Sequence, residues 1–202
     1  MAVSVPSYVD WIYGLLPKTK RSDTCSQPHP QFVILFVGKD EIPFGIQKDV
    51  LVAQSPFYRE EFAKPEYKEK VELIVQLPNS SVETFGCVQN FIYTGNIYDT
   101  KAGVDIPDYP LLMDIWKLAS ELKIAPLRTS VLAVMAERRQ LTQSIPGTDL
   151  LKQAWKETEE GSGLRKMLIE WAAEHSEFLI LSWMIVSPIY LSLFNLSYTY
   201  TY

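Results

Sequence analysis

Residues 32–69 read FVILFVGKDEIPFGIQKDVLVAQSPFYREEFAKPEYKE, and the order of elements in this stretch decides the fold. The opening residues, Phe32 to Val37, are β-branched, aromatic or aliphatic and carry no charge. Such a run predicts a strand buried on both faces. Gly38-Lys39-Asp40-Glu41 turns the chain, and residues 42–46 return as a second strand. Pro43 lacks an N–H, so that strand belongs at a sheet edge or carries a bulge there. Residues 48–54, KDVLVAQ, then suit one short helix packed into a core. Ser55-Pro56 restarts the chain with serine as N-cap and proline at the first helical position, where its missing N–H costs nothing. A second short helix over residues 57–62 follows, and the charged stretch 63–70 is exposed.

Working outward, residues 71–77 (VELIVQL) alternate only partly and predict a mostly buried third strand. Ser80 and Glu83 have capping-box spacing at the start of the next helix, whose apolar face is Val82, Phe85, Val88, Gln89 and Ile92. Gly95 supplies its left-handed stop. Residues 100–107 read as a loop. Asp108 caps a helix with Leu111, Ile115, Leu118, Ala119 and Leu122 as its core stripe. Pro126 begins another, with Leu127, Val131, Val134 and Met135 inward and Glu137, Arg138 and Arg139 outward. Two more helices are predicted over residues 148–155 and 162–175, the second capped by Ser162 with Leu164, Met167, Leu168 and Trp171 on one side. Strands early and helices later predict an α+β fold, a small sheet of three or more strands surrounded by helices.

These phrases together resemble the BTB/POZ domain. The family's core phrase is a strand, a glycine turn, an aromatic ahead of a histidine-lysine pair, then leucine, serine and an aromatic pair. It stands here as Phe44-Gly45-Ile46-Gln47-Lys48, Leu51 and Ser55-Pro56-Phe57-Tyr58. The phrase's closing aromatic-x-Glu is Tyr67-Lys68-Glu69, and Phe91-Ile92-Tyr93-Thr94-Gly95 is similar to the family's helix ending. The resemblance covers roughly residues 30–136, and Glu157-Thr158 with Leu164-Arg165-Lys166 is similar to the BTB proteins abundant in filamentous fungi. It implies a protein-interaction module that self-associates as a homodimer and, in many members, recruits a cullin scaffold to build a ubiquitin ligase. The cullin contact of the family centres on the hydrophobic-x-Glu phrase, which carries over to Tyr67 and Glu69. An aromatic anchor supplies buried area and the carboxylate fixes register.

The chain also departs from the pattern. The family's acidic residue before the first strand is Gln31 here, and the histidine of the core phrase is Gln47. In dimeric members that acid and a basic residue near Lys48 line a charged pocket at the subunit boundary, and Gln31 leaves that pocket without its acid. No Kelch, zinc-finger, MATH or ankyrin phrase stands in the chain, so a ligase adaptor has no obvious substrate-reading domain here and a transcription-related role no DNA-reading element of its own.

Composition bounds the remaining classes. With 202 residues, 47% hydrophobic and 21% charged, the chain fits one domain with an appendage or two small ones. The organisation read is an N-terminal helix and linker (1–23), the BTB/POZ domain (24–136), a helical extension (137–176) and a hydrophobic tail (177–202) that is uncharged from Phe178 onward. A net charge of −5 argues against direct nucleic-acid binding, which needs a basic face. Cys25 and Cys87 are too few for a disulfide framework and have no metal-ligand spacing. The first residues have no basic region before their apolar stretch, unlike a signal peptide. Val9, Ile12, Leu15 and Leu16 fall at helical spacing before Pro17, a stripe that needs a partner face. It covers either the domain's own core or, as the resemblance implies, a second copy.

Catalysis has little to stand on. His29 sits between prolines and His175 near a helix end, without a nucleophile elbow, phosphate loop, dinucleotide fingerprint or zinc motif. No enzyme, cofactor or metal is read. Residues 178–202 hold no charged residue. A helix over 178–196 would reach about 28 Å, near the roughly 30 Å hydrocarbon thickness. Three readings of this tail stand: a membrane anchor, a core helix, or an end produced by an altered reading of the gene. Pro188 and several serines weigh against the anchor. The expected location is cytoplasmic or nuclear, with tail-anchoring at an organelle membrane as the alternative.

Overall fold

The strand β1 (Phe32–Val37) is the middle of a three-stranded sheet in the computed structural model, which describes residues 31–68, 73–99 and 105–174. β2 (Ile42–Gln47) returns antiparallel along one side, and β3 (Leu73–Leu77) lies parallel along the other. The turn between β1 and β2 needs left-handed backbone at Gly38 (φ 76°) and Glu41 (φ 50°), and the Glu41 N–H donates to the Gly38 carbonyl at 3.3 Å. Glycine takes such a φ at no steric cost. Pro43 does sit on an edge strand of the described sheet, where its missing N–H interrupts no ladder.

β1 is not buried on both faces. Val33, Leu35 and Val37 are fully buried, whereas Phe32 keeps 50% of its surface exposed and Ile34 and Phe36 are half-buried. Odd positions face the core and even positions form the sheet's outer face. β3 departs from expectation in the same way. Leu73 is buried, but Ile74, paired in register with Ile34, is 47% exposed and Gln76 is exposed.

The helix α1 (Lys48–Gln54) buries Val50 and Leu51, and α2 (Pro56–Phe62) begins one residue later. Two side chains fix the corner between them. Arg59 reaches back to the end of α1, donating from Nε to the Val52 carbonyl (3.1 Å) and from Nη2 to the Ala53 carbonyl (3.2 Å). A cation there meets the negative end of the helix dipole. The fully buried Ser55 caps α2, its Oγ accepting from the Tyr58 N–H at 3.3 Å while donating to the Leu122 carbonyl at 2.7 Å. One oxygen thus joins the start of α2 to the end of a helix far along the chain. The turn α3 (Pro65–Lys68) follows.

α4 (Val82–Thr94) is capped by Ser81, one residue later than the Ser80–Glu83 box. Ser81 Oγ accepts from the Thr84 N–H (3.0 Å) and bonds the Thr84 hydroxyl (2.8 Å), so Thr84 takes the place expected of Glu83. Thr84 is itself buried, which favours the cap whose partner points inward. Phe85, Val88, Phe91 and Ile92 face the core, whereas Val82, at the first helical position, stays 43% exposed. Gly95 ends the helix at φ 78°. The edge of the Phe44 ring meets Phe85 with centroids 4.9 Å apart, seating β2 on α4.

α5 (Tyr109–Glu121) is capped by Asp108, whose Oδ1 accepts from the Leu111 N–H at 2.9 Å. Its buried face is broader than a single stripe, adding Leu112, Met113 and Trp116 while Leu111 is only half-buried. α6 (Ala125–Thr142) buries Leu127, Val131, Leu132, Ala133, Met135 and Ala136, leaving Val134 half-buried. Each fully buried Leu, Met or Phe contributes roughly 1.5–3 kcal/mol relative to exposure. Arg138, expected to point outward, turns in instead. Its Nη1 donates to the Ile106 and Pro107 carbonyls (2.9 and 3.1 Å), and its guanidinium lies 5.4 Å from the Tyr109 ring centroid.

The chain divides into two compact units after Ser144. In the second, α7 (Thr148–Glu157) buries Leu150 and Ala154, and α8 (Gly163–Glu174) buries Leu164, Met167, Leu168 and Trp171, the four residues expected. Arg165 caps α7, donating from Nη2 to the Trp155 carbonyl (2.5 Å) and to the Thr158 carbonyl, and from Nε to the Thr158 hydroxyl (3.0 Å). Ser162 accepts from the Arg165 N–H at 3.3 Å, the predicted cap. Among the described residues no helix is long and apolar enough to cross a membrane. The uncharged tail, the stripe Val9, Ile12, Leu15 and Leu16, and both histidines lie outside the described residues.

Candidate functional site

The loop after α2 is built around Tyr67. Ala63 ends α2 in helical geometry, and the chain continues as a turn in which Lys64 N–H donates to the Glu61 carbonyl (3.2 Å) and Tyr67 N–H to the Lys64 carbonyl (3.1 Å). Residues 63–66 are exposed and Tyr67 is half-buried. Its ring stands edge-on to Phe62, centroids 5.5 Å apart, and Phe62 in turn stacks on Tyr58 at 5.5 Å. An aromatic column therefore runs from the buried Tyr58 out to Tyr67, holding the anchor in place while part of the ring meets solvent. Lys64 hydrogen-bonds Glu61 at 2.6 Å, which raises its ammonium pKa, but the side chain is half exposed and such pairs contribute little. Glu69, the carboxylate of the phrase, lies outside the described residues.

A second constellation lies at the β2 edge. Lys48 Nζ donates to Gln31 Oε1 at 3.0 Å, and the Lys48 N–H to the Gln31 carbonyl at 2.8 Å. The two positions are thus in contact, joined by an ammonium–amide hydrogen bond with no opposing charge. Next to them the Gln47 N–H donates to the Tyr93 hydroxyl (3.1 Å), and Gln89 Nε2 to the Gly45 carbonyl (3.1 Å). Side chains of α4 therefore occupy main-chain groups along the open side of β2.

A family model described as the BTB/POZ domain matches residues 32–137, more than half of the chain. The chain belongs to the BTB/POZ family. Among solved structures it is similar to the BTB domain of human Gigaxonin, at 20% identity and a TM-score of 0.40, covering 65% of this chain and 96% of that one. No match was found among curated proteins.

Within this BTB domain the sequence placed Tyr67 on the exposed loop but gave no sign of its Phe62 support. It missed the roles of Gln89, Tyr93 and Arg138. Gln89 carried a signal, a polar residue at an inward position of an otherwise apolar face. Tyr93 carried none, since its partner is a backbone group forty-six residues away. Cys87 is half-buried on α4, and burial, with Glu83 adding to it, pushes its thiol pKa up, the reverse of an activated nucleophile. Among the described residues no cluster of histidine, cysteine and carboxylate groups suits a metal ion.

Proposed function

We propose that this BTB/POZ protein, an interaction module by family, acts without catalysis, self-associates, and grips a protein partner through Tyr67 and Glu69. A cullin scaffold is the partner class that the hydrophobic-x-Glu phrase points to, which would make the chain a ubiquitin-ligase adaptor. The observation that carries this reading is the aromatic column Tyr58–Phe62–Tyr67, because it holds a half-exposed tyrosine rigidly beside an exposed turn. A pre-positioned aromatic loses little conformational entropy on binding. Self-association is assigned to the stripe Val9, Ile12, Leu15 and Leu16. With an uncharged amide at Gln31 opposite the Lys48 ammonium, any grip at that pocket lacks an ion pair.

Calorimetric titration of the purified chain with a cullin N-terminal domain tests the partner. Tyr67→Ala and Glu69→Ala should each weaken binding by about tenfold or more, the loss of roughly 1.4 kcal/mol or more typical of an anchor residue. Thermal melts of both variants report whether folding is intact. Failure of the parent chain to bind would sink the adaptor reading, and undiminished binding by both variants would discard the site.

A further inference from the structure

The two outer strands of the sheet are treated differently. On the open side of β2, Pro43 has no N–H, the Gly45 carbonyl is taken by Gln89 and the Gln47 N–H by Tyr93. These devices close an edge against strand addition. Among the described residues β3 has none of them. Its sequence, LIVQL, holds no proline and no charge, and among the described residues no other strand lies beyond it.

The phase of the ladder says which β3 groups are open. The Gly38 N–H donates to the Leu77 carbonyl at 3.0 Å, so even positions of the first strand, continuing through Gly38, address β3. In a parallel pair this turns the main-chain groups of Leu73, Val75 and Leu77 toward β1 and those of Ile74 and Gln76 outward. The arrangement is self-complementary. A twofold axis through Val75 sets Ile74 of one copy opposite Gln76 of the other, and each such pair exchanges two N–H···O bonds. Leu73 then faces Leu77. Sliding the axis toward the C-terminus brings in Pro78, which has no N–H to give. No strand of the sheet carries a charged residue, so two copies can abut there without like-charge repulsion despite the net charge of −5. The exposed Phe32 and Ile74 and the half-buried Ile34 and Phe36 would form one continuous apolar surface on the joined sheet.

We infer that β3 pairs antiparallel with β3 of a second copy about an axis at Val75, in an isologous contact that continues the sheet across both molecules. This contact does not rest on the self-association assigned above to the N-terminal stripe. Sedimentation velocity and hydrogen exchange of the full chain over a range of protein concentrations test it, with Ile74→Lys and Leu15→Asp variants whose far-UV circular dichroism confirms folding. The wild type should show a concentration-dependent association step. The Ile74 and Gln76 amides should exchange about tenfold slower when associated. Leu15→Asp, which removes any contact through the N-terminal stripe, should leave both effects in place, and adding Ile74→Lys to it should abolish both. Exchange at those amides that does not change with concentration overturns the inference, whether fast or slow, slow exchange meaning that a segment of the same chain covers the edge. Association of the Leu15→Asp chain that survives the added Ile74→Lys overturns it as well.

Discussion

Replacing Ser55 with alanine removes one oxygen that serves two elements. The first loss is the N-cap of α2, where Oγ accepts from Tyr58 N–H, worth about 1 kcal/mol. The second is the 2.7 Å bond to the Leu122 carbonyl, with a net contribution of about 1 kcal/mol and up to about 3 kcal/mol if that carbonyl is left unpaired. Ser55 has no exposed surface, so water cannot readily replace the hydroxyl. The total, about 2–4 kcal/mol, is a large part of the roughly 5–15 kcal/mol that stabilises an ordinary domain. With a urea dependence of about 2 kcal/mol per molar, the midpoint should fall by about 1–2 M. Urea unfolding read by hydrogen exchange in α5 peptides follows the first unit without interference from the second. Ser81→Ala provides the control, because Ser81 caps α4 through Thr84 without a bond to a distant helix, and should cost only about 1 kcal/mol. If Ser55→Ala costs no more than Ser81→Ala, the Leu122 bond contributes nothing and the link between α2 and α5 is an accident of proximity.

Tyr58 and Cys87 give further tests. The Tyr58 hydroxyl is buried with no hydrogen-bond partner among the described residues, so Tyr58→Phe should leave stability unchanged or raise it by up to about 1 kcal/mol in chemical denaturation. Burial also raises the phenol's pKa above its ordinary value. The folded protein therefore holds that proton more tightly than the unfolded chain, and stability is fully present below the unfolded pKa and falls as pH rises past about 10. Tyr58→Phe should flatten that alkaline decline, and an unchanged decline would assign it to other groups. Cys87, its thiol pKa raised by burial and by Glu83, should react with iodoacetamide at pH 7 at least about tenfold more slowly than in urea, followed by peptide mass spectrometry. Equal rates would contradict the half-buried placement.

Much of the fold was legible because its punctuation is local. Pro43 on an edge strand, Ser55-Pro56 at a helix start, Gly95 at a helix end and the face Leu164, Met167, Leu168 and Trp171 each follow from residues within a few positions of one another. The errors arise where the deciding partner is remote or the local signal is degenerate. A charge-free run such as Phe32–Val37 has no alternation, so nothing in it tells the core face from the outer face. Ser80 and Ser81 both have a capping partner three residues on, and only the burial of Thr84 separates them. Arg138 looks like surface charge until the Ile106 and Pro107 carbonyls, more than thirty residues upstream, are brought to it. For the site, Tyr67 was visible through the phrase it closes, whereas its orientation depends on an aromatic column that no spacing rule encodes.

The parallel pairing of β1 with β3 also sets the order in which the chain can acquire its structure during synthesis. Val33 pairs with Leu73, forty positions later, and a parallel partner cannot arrive by a tight turn. β1 and β2 can pair as soon as both have left the ribosome, and Arg59 can clamp α1 soon after. At about 5–20 residues per second, the β3 side of β1 then waits roughly 2–8 seconds for its partner to be made. Through that interval the nascent chain presents an apolar edge with open amides at Ile34 and Phe36, and it is there that a chaperone would have most reason to bind.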